Sequence, residues 1–128
     1  MQVYLDNSAT TKVCKEAADK AYEVMTEGYG NPSSLHSLGN NAAKELKNAR
    51  NAILDRFGGG NKSQLIFTSS GTESDNMAII GTFNRLKRRA DEIITTEVEH
   101  PAVLEACKYL ERQGAKVKYL NVDSECKI

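Results

Sequence analysis

The polar turn Ser70-Gly71-Thr72 stands between an apolar run predicted as a strand, residues 64–68, and a run of helical spacing. Backbone N–H groups at the start of a helix lack intrahelical partners, and the helix dipole adds partial positive charge there. Gly71 lets another group approach the backbone, while Ser70 and Thr72 carry hydroxyls. The turn therefore predicts an anion site suited to phosphate. The alternative is a capping box of Thr72 and Asp75 that needs no ligand.

His100 follows a second predicted strand, residues 93–96, and immediately precedes Pro101, which is expected to begin a helix. Ligands of open α/β sheets bind at the carboxyl edge of the strands, so His100 and the Gly71 turn are expected to face one crevice. A histidine there can stack on an aromatic ring and transfer protons. The alternative is a solvent-exposed histidine before a helix. The edge shared with Gly71 favours a functional role.

Two other polar segments favour local structural roles. His36 lies in a loop of turn-forming residues, 28–34 and onward, where a histidine that orders its own backbone is the favoured interpretation. Residues 6–11 are interpreted first as a turn with a helix N-cap. The cysteines Cys14, Cys107 and Cys126 show no C-x-x-C spacing, so neither a disulfide framework nor a metal site is expected. Each is expected to be a buried structural thiol in a reducing, cytoplasmic setting.

Composition argues against two classes of partner. Lys plus Arg and Asp plus Glu both number 17, so the net charge is zero and no basic excess favours nucleic acid or an anionic membrane. The basic run at residues 87–89 is expected at a helix end, where cations offset the macrodipole. No secretory signal is visible, and no apolar run approaches the ~18 residues of a membrane span.

The order of the predicted elements indicates an α/β fold. Helices are expected at 12–27, 38–57, from the Gly71 turn to about 88, and at 101–113, and strands at 64–68, 93–96 and 117–120. In the second helix the positions expected to face inward are Ala42, Leu46, Ala49, Ile53 and Leu54. Strand–helix–strand alternation implies parallel pairing. We divide the chain into 1–60, an extended lead with helices, and 61–128, the start of a sheet domain expected to be incomplete.

Four segments in this order resemble the cysteine desulfurases, especially the NifS-like branch of the class V aminotransferase-like enzymes. They are Tyr4-Leu5-Asp6-Asn7-Ser8-Ala9-Thr10-Thr11, Gly30-Asn31-Pro32-Ser33-Ser34-Leu35-His36, Phe67-Thr68-Ser69-Ser70-Gly71-Thr72-Glu73-Ser74-Asp75-Asn76 and Thr96-Glu97-Val98-Glu99-His100-Pro101-Ala102-Val103. The resemblance covers nearly the whole chain and roughly the first third of such an enzyme. It implies the large domain of a fold-type I enzyme, a three-layer α/β/α structure with a mostly parallel sheet.

The resemblance also implies a cofactor, pyridoxal 5′-phosphate. The turn at Ser70, Gly71 and Thr72 would hold its phosphate, and His100 would stack on the pyridine ring and serve as the catalytic proton-transfer group. The positions expected near the substrate mouth and dimer interface are Asn7, Ala9, Thr10, Asn31 and His36. Ser70 stands where some relatives carry glycine or cysteine, a departure that does not disturb phosphate binding.

The implied reaction converts L-cysteine to L-alanine and passes sulfur to an enzyme cysteine as a persulfide. It serves iron–sulfur cluster assembly or thiolation, with a homodimer and a sulfur-acceptor or scaffold protein as partners. The family's cofactor lysine, its acceptor cysteine and two further functional residues match nothing in these 128 residues, so the chain alone is expected to be inactive. Two alternatives stay open: a selenocysteine lyase or another class V enzyme, and a non-catalytic remnant or split-gene subunit that binds a complementary C-terminal half.

Overall fold

A computed structural model of the chain describes residues 2–60 and 63–128. The helices are α1 (Lys15–Thr26), α2 (Ser37–Arg56), α3 (Gly71–Leu86) and α4 (Pro101–Arg112), and the strands are β1 (Glu92–Thr96) and β2 (Lys116–Leu120). The chain divides into two compact units, Met1–Leu65 with α1 and α2, and Ile66–Ile128 with the remaining elements. The predicted α/β class is confirmed, and the 60/61 domain boundary stays a prediction.

The sheet of the second unit is a parallel pair connected through α4. Strand β1 pairs with β2 in the register Ile94↔Lys118, which confirms the predicted parallel pairing. In both strands the exposed and less exposed residues alternate over the first four positions, as a strand with one covered face requires.

The buried core of the second unit comes from one face of α4 and the turn after it. Its members are Ala102, Ala106, Cys107, Leu110 and Ala115, each at most 7% exposed. The four helical positions recur at intervals of four, one and three residues, so they share one face of the helix. Small side chains at positions 102 and 106 let neighbouring groups approach α4 closely. This face fixes α4, and with it the position of His100 at the start of the helix.

Two helices end in the same hydrogen-bonded motif. After α4, Gly114 has φ 93°, its N–H donates to the Glu111 carbonyl, and the Ala115 N–H donates to the Leu110 carbonyl. After α2, Gly58 has φ 66° and makes the equivalent bond to Asp55. Left-handed backbone at the first residue past the C-cap is what glycine accepts without steric cost, so the predicted left-handed cap at 58–60 is confirmed at Gly58.

Helices α3 and α4 pack together, and residues near their C-terminal ends line the same cavity. A cavity of about 280 Å³ is lined by Phe83 and Lys87 from the end of α3 and by Tyr109 and Gln113 from the end of α4. Its lining also includes Asp91, which immediately precedes β1. The C-terminal ends of both helices thus meet at the amino end of β1. Their first turns consequently lie at the other end of the layer, toward the carboxyl ends of the strands.

The first unit buries little apolar surface. No residue of α1 is buried, and Met25 is 69% exposed and Val24 40% exposed. In α2 four of the five positions expected to face inward are partly covered, but Ala49 is exposed, so that prediction is wrong. The reason is a groove between α1 and α2, lined by Ala49 among others, that no described residue fills.

The predicted strand at residues 64–68 is absent, so that prediction is wrong: residues 63–68 belong to no helix or strand. Among the described residues the sheet has only the two strands β1 and β2, which pair with each other. A strand is defined by ladder hydrogen bonds, and this apolar run has no such partner. None of the helices in the described part of the chain combines the length and apolar character needed to cross a membrane.

Candidate functional site

The turn before α3 is built around Ser70, the N-cap of the helix. The backbone of Ser70 is extended (φ −163°, ψ 164°), and its Oγ accepts a hydrogen bond from the Glu73 N–H at 3.2 Å. Glu73 reaches back, and its Oε2 accepts from the N–H of Ser69 at 2.7 Å and from the Ser69 Oγ at 2.8 Å. These reciprocal bonds form a capping box with its carboxylate bond shifted to residue 69.

The capping box expected as an alternative, Thr72 with Asp75, is therefore wrong. Helix α3 begins at Gly71, so Thr72 is already the second helical residue. The spacing Ser-x-x-Glu at residues 70–73 was present in the sequence, and it is the standard signature of this motif. Ser69 and Glu73, which shape the turn through their hydrogen bonds, were not predicted as site residues from the sequence.

The amides of Gly71 and Thr72 are donors without an acceptor among the residues that the structure describes. A Cβ placed on Gly71 would meet no atom within 4 Å, so open space lies beside the backbone there. The φ of Gly71 is not in the left-handed region either. Since neither packing nor backbone conformation within the chain demands glycine here, the free space suits a ligand that contacts the backbone.

A second set of bonds ties the turn to the helix. Thr68 Oγ1 lies 3.0 Å from the Ser70 carbonyl and 2.6 Å from the Ser74 Oγ. The Asn76 side chain donates to the Thr72 carbonyl at 2.8 Å. These contacts fix the backbone on both sides of Gly71. Order of this kind reduces what a bound anion would have to organise.

His100 is the N-cap of α4. Its Nδ1 accepts a hydrogen bond from the Ala102 N–H at 3.1 Å, and Pro101 occupies the first helical position, as predicted. An accepting Nδ1 carries no proton, so in the neutral imidazole the proton sits on Nε2. The imidazole is exposed. His100 therefore combines a structural bond on one nitrogen with a second nitrogen available for other chemistry.

The predicted phosphate turn and His100 occupy corresponding positions in the second unit. Both are N-caps, of α3 and α4, and these two helices run side by side with their C-terminal ends meeting near Asp91. Their N-caps consequently lie at the same end of the helix pair. Both helix dipoles direct partial positive charge toward that end.

The residues predicted at the substrate mouth lie in the first unit. Asn7, Ala9 and Thr10 belong to an exposed turn in which the N–H groups of Ala9 and Thr10 reach the Asp6 carbonyl at 3.2 and 3.4 Å. The turn predicted at residues 6–11 is confirmed. The helix N-cap predicted with it is wrong, because α1 begins only at Lys15 and no side chain caps it.

Asn31 and His36 shape the loop before α2. The Asn31 Oδ1 accepts from the Ser33 N–H at 2.9 Å, and the His36 Nδ1 accepts from the Gly39 N–H at 3.4 Å. The interpretation of His36 as a histidine that orders its own backbone is thus confirmed. A Cβ on Gly39 would overlap the Ser34 carbonyl, so this glycine allows the loop to close against α2.

The cysteines differ from one another. Cys107 is 1% exposed, and burial raises the pKa of its thiol, which fits the predicted structural role. Cys14 and Cys126 are exposed, so the expectation of buried thiols is wrong for both. Cys14 precedes a helix without buried residues, and Cys126 lies in a terminal turn with φ 59°. Within the described ranges no group of three His, Cys, Asp or Glu side chains is placed to hold a metal ion.

Comparisons with known proteins identify relatives across nearly the whole chain. The family model described as Aminotransferase class-V matches residues 3–128. The chain is 46% identical over 123 residues to "Cysteine desulfurase NifS" of Azotobacter vinelandii, a match that covers 96% of the chain and 30% of that relative. The chain thus spans about 30% of the length of this curated relative, in its N-terminal part.

Solved structures give the same result for the fold. The structure "NIFS-LIKE PROTEIN" superposes with a TM-score of 0.86 at 40% identity, covering 97% of this chain and 34% of the other. The structure "SspA in complex with cysteine" has a TM-score of 0.77 at 30% identity, covering 91% and 33%. The chain has the fold of the corresponding third of these proteins.

Proposed function

The chain belongs to the aminotransferase class-V family, and from that premise we propose that it is the N-terminal part of a pyridoxal-phosphate-dependent cysteine desulfurase. The name of the Azotobacter relative, at 46% identity, supports the desulfurase reaction rather than another class V activity. The observation that carries the proposal is that Ser70 and His100 are the N-caps of two helices that pack together and line one cavity with residues near their C-terminal ends.

The residues of the turn fit the phosphate of pyridoxal 5′-phosphate. The amides of Gly71 and Thr72 and the hydroxyls of Ser70 and Thr72 would hold it, with open space beside Gly71 in which no Cβ intrudes. The α3 dipole favours a dianion at this end. The carboxylate of Glu73 opposes it, but that group is already hydrogen-bonded to Ser69.

When bound, the cofactor supplies an electron sink for a substrate carbanion. The chain's own contribution at this centre is His100, whose ring would contact the cofactor. Because Nδ1 accepts from Ala102, the nitrogen left to hold or move a proton is Nε2. The cap also fixes the imidazole to α4, so that Nε2 has a defined position without a second residue to orient it.

L-Cysteine is the proposed substrate, supported by the relative whose structure is described as in complex with cysteine. Asn7, Ala9, Thr10, Asn31 and His36 are proposed to line the substrate mouth; the hydrogen-bonded turns that hold them give these segments a defined shape. Homodimer formation, a sulfur-acceptor or scaffold protein, and service to iron–sulfur assembly or thiolation are proposed from the family resemblance.

We propose further that these 128 residues alone do not desulfurate cysteine, because nothing in them matches the family's cofactor lysine or acceptor cysteine. Two alternative functions stay open, a selenocysteine lyase and a split-gene subunit that binds a complementary half. A cytoplasmic location is proposed for the protein. A desulfurase releases alanine from cysteine and leaves the sulfur as a persulfide, which an added thiol such as dithiothreitol reduces to sulfide. A lyase prefers selenocysteine, so competition between the two substrates separates these enzymes.

The first experiment is to measure the intact mass of the gene product purified from its own cells with whatever is bound to it. A single chain about three times heavier than 14.1 kDa supports the proposal if it also shows the absorption of bound pyridoxal phosphate and releases sulfide from cysteine in the presence of a thiol reductant. A 14.1 kDa chain bound to a second polypeptide that carries the lysine supports the split-subunit alternative. A 14.1 kDa chain that turns over cysteine alone contradicts the proposed inactivity.

A further inference from the structure

Glu73 makes two side-chain hydrogen bonds to the turn before α3. One carboxylate oxygen, Oε2, accepts both the N–H and the Oγ–H of Ser69, at 2.7 and 2.8 Å. Bonds from two donors to an ionised oxygen are charge-assisted, and they lower the pKa of the Glu73 carboxyl, the backbone N–H contributing most. The residue is exposed, so it does not serve the core.

The Glu73 bonds determine which backbone donors of the turn remain free. The N–H of Ser69 is taken by the carboxylate, and the N–H of Glu73 is taken by Ser70 Oγ. The N–H of Ser74 donates to the Ser70 carbonyl. The amides of Gly71 and Thr72, between these fixed points, have no acceptor within the described residues. Glu73 thus holds the turn on both sides of the two amides that would contact an anion.

Glu73 also places a negative charge in the first turn of α3, where a phosphate would bind. By its charge alone, the Glu73 carboxylate would repel a bound anion and weaken its binding. The two effects have opposite signs, and they depend on different properties of the side chain. Holding Ser69 requires an acceptor at the end of a side chain as long as that of glutamate, whereas repulsion of an anion requires only the charge. Solvent at this exposed site screens the repulsion of an anion more strongly than it weakens the direct hydrogen bonds to Ser69, which are 2.7 and 2.8 Å long.

We propose that Glu73 is a positioning residue for the phosphate group of the cofactor, acting through Ser69 to hold the Gly71 and Thr72 amides in binding orientation. The inference rests on the proposed function, since it concerns the same phosphate site. Glu73 does not touch the phosphate; its contribution is the order of the turn, and its hydrogen-bonding reach outweighs its charge.

The test measures phosphate binding to the isotope-labelled 128-residue chain through the amide chemical shifts of Gly71 and Thr72. The probes are inorganic phosphate and pyridoxamine 5′-phosphate, whose amine does not condense with surface lysines. Two variants separate reach from charge: Glu73→Gln keeps an acceptor at the same distance without charge, and Glu73→Asp keeps the charge on a shorter side chain. Glu16→Gln is the matched control, because Glu16 also lies in the first turn of a helix and is exposed.

Positioning predicts that Glu73→Asp binds both probes on the order of tenfold more weakly, while Glu73→Gln stays within about twofold of the unaltered chain. The shifts of Gly71 and Thr72 without ligand should also move in Glu73→Asp and not in Glu16→Gln. Urea unfolding of each variant shows whether affinity merely follows stability, as a purely structural role would require.

The opposite order overturns the inference: if Glu73→Gln binds more tightly and Glu73→Asp is unchanged, charge dominates and reach is irrelevant. If all variants bind phosphate equally well, the positioning role of Glu73 is overturned, whereas the proposed phosphate site stands. If the unaltered chain shows no phosphate-dependent shift at Gly71 or Thr72, the proposed cofactor site fails, and the role of Glu73 fails with it. The unaltered chain thus tests the function, and the variants test the inference.

Discussion

The Nδ1 of His100 accepts a hydrogen bond from the backbone N–H of Ala102 at 3.1 Å, so the predicted catalytic histidine is also the cap of the helix that it begins. The same arrangement occurs at His36, whose Nδ1 accepts from Gly39 at 3.4 Å. Each histidine uses one nitrogen for structure. His100 belongs to the same unit as the Gly71 turn and caps the helix that packs against α3.

Replacing His100 separates its two roles. His100→Ala removes the cap and is expected to lower the free energy of unfolding by about 1 kcal/mol, whereas His100→Asn restores a side-chain acceptor and recovers most of it. Both variants lack the imidazole, so both should lose cysteine-dependent activity in the complete enzyme. Urea denaturation measures the change in stability, and alanine formation from cysteine measures the change in activity. An active His100→Asn enzyme would contradict the catalytic role.

The thiols should differ in reactivity according to burial. Cys14 and Cys126 are exposed and should react within seconds to minutes with a disulfide reagent, whereas Cys107, at 1% exposure and with a raised pKa, should react only when the chain unfolds. Counting released chromophore in native buffer and in denaturant checks this. Cys107→Ala should leave the fast count unchanged, and rapid reaction of all three thiols would contradict the burial.

Substitution of alanine for glycine is expected to have opposite effects on stability at two positions. Gly114→Ala places a Cβ at φ 93° and should lower the free energy of unfolding by about 1–2 kcal/mol. Gly81 lies inside α3, and a Cβ there meets no atom within 4 Å, so Gly81→Ala should raise it by about 0.5–1 kcal/mol. Thermal unfolding of both variants against the unaltered chain provides the measurement. Destabilisation by Gly81→Ala would show that another surface approaches this glycine.

Acidification should weaken the start of α3 through Glu73. Its bonds to Ser69 lower the pKa of the folded carboxyl below its ordinary value, so its contribution to stability is complete above about pH 4.3 and is lost as the pH falls through the folded value. Asp91 and Glu105 have lowered pKa values and act with the same sign. The difference between the unaltered chain and Glu73→Gln isolates Glu73; parallel stability curves from pH 6 to pH 3 would contradict the contribution.

Helical elements were predictable from the sequence because their hydrogen bonds are local. The periodic runs gave α1 to α4 within about three residues at each end, and Gly58 and Pro101 marked boundaries through backbone preferences of single residues. Strands β1 and β2 were also found. The run at 64–68 failed because a strand depends on a partner, and apolar composition does not reveal whether one is present.

The hydrogen bonds of the turn before α3 could not be predicted from the sequence, and the assignment of the site residues stays a prediction. Gly71, Thr72 and His100 could be placed at one edge because parallel βαβ order brings helix starts together. The capping partner was assigned two residues too late, since Thr72 and Asp75 satisfy the same spacing rule as Ser70 and Glu73. Choosing between the two pairs requires knowing at which residue the helix begins.

The exposed apolar side chains of α1 predict self-association of the 128-residue chain. Tyr22 is 67% exposed and Met25 69%, and none of the residues of this helix is buried. Exposed apolar surface of this kind favours association with a second copy or a complementary chain. We expect the apparent mass in analytical ultracentrifugation to rise with concentration, and Met25→Lys to reduce that rise. Ala18→Lys on the same helix is a charge-matched control that removes no large apolar side chain. A chain that stays monomeric and melts cooperatively would show that this surface does not promote association.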